Sequence, residues 1–398
     1  MAKQLALITP TVIKWAREKS HYPLEIAAKK IGVSSEKLNE WESGKTLPTM
    51  TQARKMSQVY RRPLAAFYLS HPPKDFPLLK DFRTIEGKSP QYSPPLVFLM
   101  RQIQERQVWL REYLKEQGHE QLKFVGSGNL QSSPKRLSKN IIKTLWGSEK
   151  EYSQIASKNE SIPSLLNSWL VQCEEKGIFI SRTSNLNSHN VIPVEEARGF
   201  VISDKYAPLI FINSGDSKSA QLFTLLHELA HLWLDISGVP DHFSVSYKGK
   251  KSSTELFCNQ IAAEILMPEE KIKSFPKMTN TVQIKEFIEE QYKNFPVSRL
   301  ALLVRLKSFS MLNHATFKAL QSQYRKEYEK YRLKQKMKMK KAEGGPNANL
   351  LKIYANGENF TKIVTLSYKE GLISGREASS LLDMKLNRME KILPMLVS

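Results

Sequence analysis

Residues 219–268 read SAQLFTLLHELAHLWLDISGVPDHFSVSYKGKKSSTELFCNQIAAEILMP. Leu222, Phe223, Leu225, Leu226, Leu229, Ala230, Trp233 and Leu234 recur at helical spacing, and Asp216 or Ser217 stands where a cap belongs. Inside this helix lies His227-Glu228-Leu229-Ala230-His231, the pattern H-E-x-x-H. Residues four apart share one helical face, so His227 and His231 reach a common metal ion with Glu228 beside it. Zinc accepts imidazole ligands, and a reactive zinc site has a third protein ligand and an open position for water.

The third ligand is expected on the next helix, Thr254–Met267, which Pro268 stops. Glu255 and Asn259 are four apart and share a face. The reading takes Glu255 as the carboxylate ligand and Asn259 as the group that holds one histidine through its other ring nitrogen. Glu264, on the same helix, competes for the ligand role. His242, in a loop, and Cys258, off the face of Glu255, are weaker competitors. H-E-x-x-H also occurs by chance in ordinary helices, where two histidines are satisfied in a core. The second amphipathic helix with E-x-x-x-N weighs against that plainer account.

HELAHLWL followed by ELFCNQIAAEILMP resembles the ImmA/IrrE family of zinc-dependent metallo-endopeptidases over about residues 160–310. Arg198-Gly199-Phe200 and Tyr206–Asn213 are similar to what precedes the zinc helix in that family. Cys258 stands where alanine is usual, one small residue for another. The resemblance implies a zincin-like peptidase with Zn2+ on His227, His231 and Glu255, and Glu228 as general base. It also implies a regulatory protein substrate such as a transcriptional repressor, whose cleavage controls a mobile element or a stress response. Tyr206 and His242 are candidate additional donors to the oxyanion.

Residues 1–70 read as five short helices. Pro10, Pro23, Pro48-Thr49 and Pro63 open four of them, Ser34 caps the third, and Gly32-Val33 makes the tight turn of a helix-turn-helix. Ala27–Val33, Leu38–Gly44 and Pro48-Thr49 resemble the Cro/C1-type (XRE) domain. That resemblance places Ser35, Glu36, Lys37, Asn39 and Glu40 toward the DNA groove and Lys45 toward phosphate. Glu36, Glu40 and Glu42 on the recognition helix depart from a strong DNA reader, which leaves open a helix-turn-helix kept for protein contacts.

The net charge of +21 and sequence pI of about 9.7 favour an anionic partner, and DNA is the expected one. The sequence holds no apolar run of membrane-spanning length and no signal-like leader, and it has two cysteines, Cys173 and Cys258. A reducing, cytoplasmic setting with no membrane partner is expected.

The whole reads as a mostly helical α+β chain. Its expected parts are the helix-turn-helix domain (1–70), a Pro-rich linker (71–95) containing Asp81-Phe82-Arg83, a helical connector (96–160), a peptidase domain with a small sheet (161–310) and a basic helical C-terminal region (311–398). Within these, Pro208–Asn213 is the candidate sheet edge for an extended substrate, with a buried central strand as the alternative. Residues 324–341 read as one exposed basic helix that either touches DNA or is solvated. Ser374 and Glu377 suggest a capping box, and residues 359–393 read as two or three helices. Two further functions fit the same sequence: a DNA-binding regulator whose zinc is structural or sensory, and an antitoxin-like or phage-associated interaction protein.

Overall fold

Helices dominate the computed structural model, which describes residues 4–74, 92–158, 161–187, 190–238, 253–276, 280–341, 347–392 and 396. The chain forms two compact units. The first takes the N-terminal part of the chain up to about Glu105 and a short β-pair from the middle of the chain; the second takes most of the rest.

In the first unit, α1 (Pro10–Lys19), α2 (Leu24–Ile31), α3 (Ser35–Glu42) and α4 (Met50–Tyr60) are followed by a 3₁₀ turn (Leu64–Tyr68) in place of the fifth helix expected. Gly32 ends α2 in the left-handed conformation (φ 88°), which only glycine adopts without strain, and Ser34 then accepts from the Lys37 amide to start α3. Thr49 and Gln52 close a capping box on α4. Ala27, Ala28, Ile31, Leu38 and Trp41 are buried between the helices. Buried Glu42 takes a two-point bond from Arg17 (Nε–Oε1 2.7 Å, Nη2–Oε2 2.9 Å), which pins α3 to α1. Asp81-Phe82-Arg83 lies outside the described residues.

Helix α5 (Pro94–Glu116) leads into the second unit, where α6 (Pro134–Trp146), α7 (Glu149–Lys158) and α8 (Ile162–Glu175) come first. The strands are β1 (Phe179–Thr183), β2 (Asn185–Asn187), β3 (Asn190–Val191), β4 (Gly199–Ile202) and β5 (Leu209–Asn213). β2 and β3 form the short separate pair, and the main sheet has the order β1-β5-β4. β5 pairs parallel with β1 (Phe179 opposite Leu209) and antiparallel with β4 (Phe200 opposite Phe211). This corrects the expectation that Pro208–Asn213 is an edge. β5 is the central strand, and the unbroken apolar run Leu209-Ile210-Phe211-Ile212 is the signature of a strand buried on both faces. The edges are β1 and β4.

Helix α9 (Lys218–Trp233) packs on this sheet and α10 (Ser253–Leu266) crosses α9. Ser217, not Asp216, caps α9 by accepting from the Ala220 amide. From Gln221 to Trp233 almost every side chain is buried, so α9 is an interior helix rather than an amphipathic surface one. After it come α11 (Glu269–Lys273), α12 (Thr281–Gln291), α13 (Arg299–Ser308) and α14 (His314–Lys341). The basic stretch expected to be a separate exposed helix from 324 is the second half of α14. Phe317 and Leu320 ahead of that stretch, and Tyr324 at its start, are buried in the core.

Among the described residues four helices follow residue 347: α15 (Ala348–Asn356), then α16 (Glu358–Lys369), α17 (Gly375–Leu382) and α18 (Leu386–Ile392), the last three matching the two or three expected over residues 359–393. Ser374 caps α17 by accepting from the Glu377 amide. The junction of α15 and α16 covers the β1 edge. Ser181 Oγ donates to the Ala355 carbonyl (2.6 Å), and the Arg182 guanidinium lies over the Tyr354 ring (5.0 Å). An exposed strand edge is a template for unwanted pairing, and this region seals one of the two.

Candidate active site

The geometry of α9 and α10 decides where the chemistry sits. His227 and His231, one turn apart on α9, bring their Nε2 atoms to 3.1 Å from each other. Glu255, in the first turn of α10, reaches both: its Oε2 lies 3.3 Å from His227 Nε2 and its Oε1 lies 3.1 Å from His231 Nε2. All three residues are buried. Bonds of about 2.0–2.1 Å to one tetrahedral ion place ligand atoms roughly 3.3–3.4 Å apart, so two nitrogens and a carboxylate gathered at separations of this order are spaced to share one ion. The donor set and spacing fit a divalent metal. They are the one such group of His, Cys, Asp and Glu among the described residues.

The electrostatics follow from the burial. Desolvation lowers the His227 pKa, against the hydrogen bond the ring makes to Glu255, which favours the neutral, metal-ready imidazole. Burial also works against the ionised Glu255, but its contacts with His227 and His231 hold the carboxyl below the usual carboxylate range. Glu228 is fully buried. Desolvation, with the Glu255 charge second, pushes its carboxyl well above the usual range. Asn259, one turn beyond Glu255, acts through its side chain to raise the His227 pKa.

The competing ligands are placed elsewhere. Glu264 pairs with Arg305 of α13, its Oε1 accepts from the Glu269 amide (3.1 Å), and Arg305 Nε donates to the Met267 carbonyl (3.2 Å). That buried knot fastens the end of α10 to α13, the helix that Val297-Ser298-Arg299 opens. Cys258 is buried outside the cluster and its thiol is pushed up in pKa, which disfavours the thiolate a metal needs. Tyr206, suggested as an oxyanion donor, has its hydroxyl bonded by Gln121 (3.3 Å) and its ring under Lys115. His242 lies outside the described residues.

One residue beside the site was not singled out from the sequence. Gly199, the first residue of β4, sits against α9 so closely that a Cβ there would lie 3.3 Å from Glu228 Oε1, 2.5 Å from Thr224 Cγ2 and 2.8 Å from the Phe211 carbonyl oxygen. Its only signal in the sequence is its place in Arg198-Gly199-Phe200.

In the helix-turn-helix, Ser35, Glu36, Lys37, Asn39 and Glu40 lie on α3 and Lys45 follows it. Several are engaged within the unit. Lys37 Nζ bonds Glu40 Oε2 (2.8 Å), Thr46 Oγ1 donates to the same oxygen (3.1 Å), and the Lys45 amide donates to the Glu40 carbonyl (2.9 Å). Glu36 is held ionised by its own amide at the helix start and then by the Ser34 hydroxyl. Asn39 and Lys45 are exposed.

Residues 173–307 match the family model of the IrrE N-terminal-like domain, a peptidase family, and residues 13–67 match a helix-turn-helix family model. No curated protein matches the chain. No helix among the described residues is long and apolar enough to cross a membrane.

Proposed function

We propose that this chain, which joins an IrrE N-terminal-like metallopeptidase domain to a helix-turn-helix domain, is a zinc endopeptidase acting on a regulatory protein at or near DNA. The observation that carries the proposal is Glu228. A buried carboxylate next to a three-donor metal cluster contributes nothing to holding the metal, and its desolvation is costly, so a structural metal site has no use for it. A structural zinc is normally closed by four protein ligands and a catalytic one by three and a water, and three donors come together among the described residues.

His227, His231 and Glu255 would hold the ion, and Asn259 would orient the His227 ring through its second nitrogen. When bound, zinc supplies Lewis acidity toward water and the scissile carbonyl. Glu228 accepts the proton of the attacking water on its carboxylate and returns it to the departing amide nitrogen, which leaves as an amine. The outward backbone of Gly199, beside Glu228, is where an extended peptide pairs with the sheet.

The substrate class follows from the fused domain. A helix-turn-helix on the same chain concentrates the peptidase among proteins that work on DNA, and a transcriptional repressor fits. Asn39, Ser35 and Lys37 of α3 face the groove and Lys45 takes a phosphate, while Glu36 and Glu40 limit affinity by repelling the backbone.

The test begins with elemental analysis of protein purified without chelators. About one zinc per chain, lost in His231→Ala and in Glu255→Ala, identifies the ligand set. Candidate repressors are then incubated with wild type and Glu228→Gln. The expected variant keeps zinc and cleaves nothing. Cleavage by Glu228→Gln at the wild-type rate removes Glu228 from the mechanism.

A further inference from the structure

The outer edge of β4 is only partly open. The Asn213 amide donates to the Arg198 carbonyl (2.7 Å), so Arg198, Phe200 and Ile202 turn their backbone groups toward β5. By the alternation of an antiparallel ladder, Gly199 and Val201 turn theirs outward. Gly199 is the position beside Glu228. Val201, two residues on, is already taken: its carbonyl accepts from the Gly238 amide (3.2 Å) in an antiparallel bridge.

The chain reaches that position by a defined route. Leaving α9, the Asp235 amide donates to Leu232 and the Ile236 amide to the carbonyl of His231, with Asp235 in the left-handed conformation (φ 55°). This is a Schellman turn closed on the metal-binding histidine's own carbonyl. Ser203, just past β4, then ties the turn down twice. Its amide donates to Ser237 Oγ (2.7 Å) and its hydroxyl to Asp235 Oδ1 (2.7 Å).

We propose that Asp235–Gly238 is a specificity-determining strap that ends substrate pairing on β4 after one residue. The proposal deepens the peptidase reading and rests on it. A peptide lying antiparallel to β4 with residue i opposite Gly199 brings residue i−2 opposite Val201, where Gly238 already stands. The substrate is therefore held by one residue's pair of backbone hydrogen bonds, and an extension toward its N-terminus gains no further ladder. Such an enzyme selects a protein that presents a short extended segment in a fixed setting and neglects long unfolded peptides.

The experiment compares two metal-directed probes on zinc-loaded protein: acetohydroxamate, and a tripeptide with a C-terminal hydroxamate, which extends from the metal toward its own N-terminus. In wild type the tripeptide probe is expected to bind within about threefold of acetohydroxamate. In Gly238→Pro, which deletes the donor to Val201, and separately in Ser203→Ala/Ser237→Ala, the gain rises to about tenfold or more, near what one or two recovered hydrogen bonds give. Unchanged acetohydroxamate binding and zinc content show that each variant is folded. Hydrogen exchange gives an independent readout: the Gly238 amide is protected in wild type and exchanges faster in the serine double variant. A tenfold gain already present in wild type, no gain in either variant, or an unprotected Gly238 amide overturns the strap. Failure of acetohydroxamate to bind zinc-loaded wild type instead removes the metal-site reading beneath it.

Discussion

Gly199 and Glu228 belong to different elements, yet the Cα of one stands within a methyl group's reach of the carboxylate of the other: a Cβ on residue 199 would lie 3.3 Å from Glu228 Oε1. The same methyl would press on Thr224 Cγ2 and on the Phe211 carbonyl, and a central-strand carbonyl has no room to yield. Gly199→Ala therefore pushes β4 off α9. An overpacked contact of this kind costs about 1–3 kcal/mol. Urea unfolding is expected to report that loss while zinc content stays at the wild-type level, because the proposed ligands lie on α9 and α10. Cleavage of a substrate is expected to fall far more than stability, since the displaced strand is the one beside Glu228.

Asn259 provides a second prediction. Its side chain acts on His227, whose ring is fully buried. Outer partners of metal-bound histidines typically hold about 10–100-fold in metal affinity. Asn259→Ala is expected to weaken zinc by that factor in a competition titration with a chromophoric chelator, with circular dichroism unchanged. Wild-type affinity in the variant shows that packing alone orients His227.

How much of this was legible in the sequence depends on the range of the interaction. The pair on α9 follows from four-residue spacing, and Glu255 with Asn259 from the same rule on α10; both are local and both helices formed as read. Ser34 and Gly32 announced the turn of the helix-turn-helix for equally local reasons. The edge assignment failed because Pro208 resembles an edge marker, while the strand order β1-β5-β4 is fixed by a parallel crossover that no local pattern encodes. The contact of Gly199 with Glu228 and the knot of Glu264 with Arg305, 41 residues away, are tertiary facts. A glycine in a short strand and a glutamate on a helix have many possible partners until the fold chooses.

The C-terminal region yields a prediction in pH. Glu174 at the end of α8 accepts from the Glu358 amide (3.2 Å), and its backbone carbonyl accepts from Asn359 (2.9 Å). Burial first, and the Glu358 charge second, raise its pKa from 4.5 to about 7, with Arg182 opposing. The folded state thus binds this proton more tightly than the unfolded chain. The contribution is present in full below about pH 4.5, declines as pH rises, and is gone above about pH 7. Because the side chain is half-buried, the change is about 1–2 kcal/mol, less than the full shift converts to. Urea unfolding at pH 5 and pH 8 is expected to show wild type losing that much more stability than Glu174→Gln. Equal losses in the two proteins show that other carboxylates set the pH dependence.

Gly357 joins α15 to α16 at the same seam and gives the sharpest structural test. Its φ is 89°, in the region L residues avoid, and a Cβ there would overlap the Ile180 carbonyl oxygen on the covered edge of β1. Gly357→Ala meets both penalties at once. The conformational part alone is about 1–2 kcal/mol, and a backbone clash that cannot relax adds a similar amount. The variant relieves the clash by lifting the α15–α16 junction, which breaks the bond from Ser181 to Ala355 and opens the β1 edge. The expected outcome is a chain that loses about 2–4 kcal/mol in urea unfolding and self-associates on concentration, because an uncovered strand edge pairs with a second copy. Light scattering distinguishes this from simple destabilisation. Ser181→Ala, which drops one hydrogen bond and leaves the backbone covered, is expected to stay as dispersed as wild type. If Gly357→Ala remains equally dispersed, the C-terminal helices do not guard that edge.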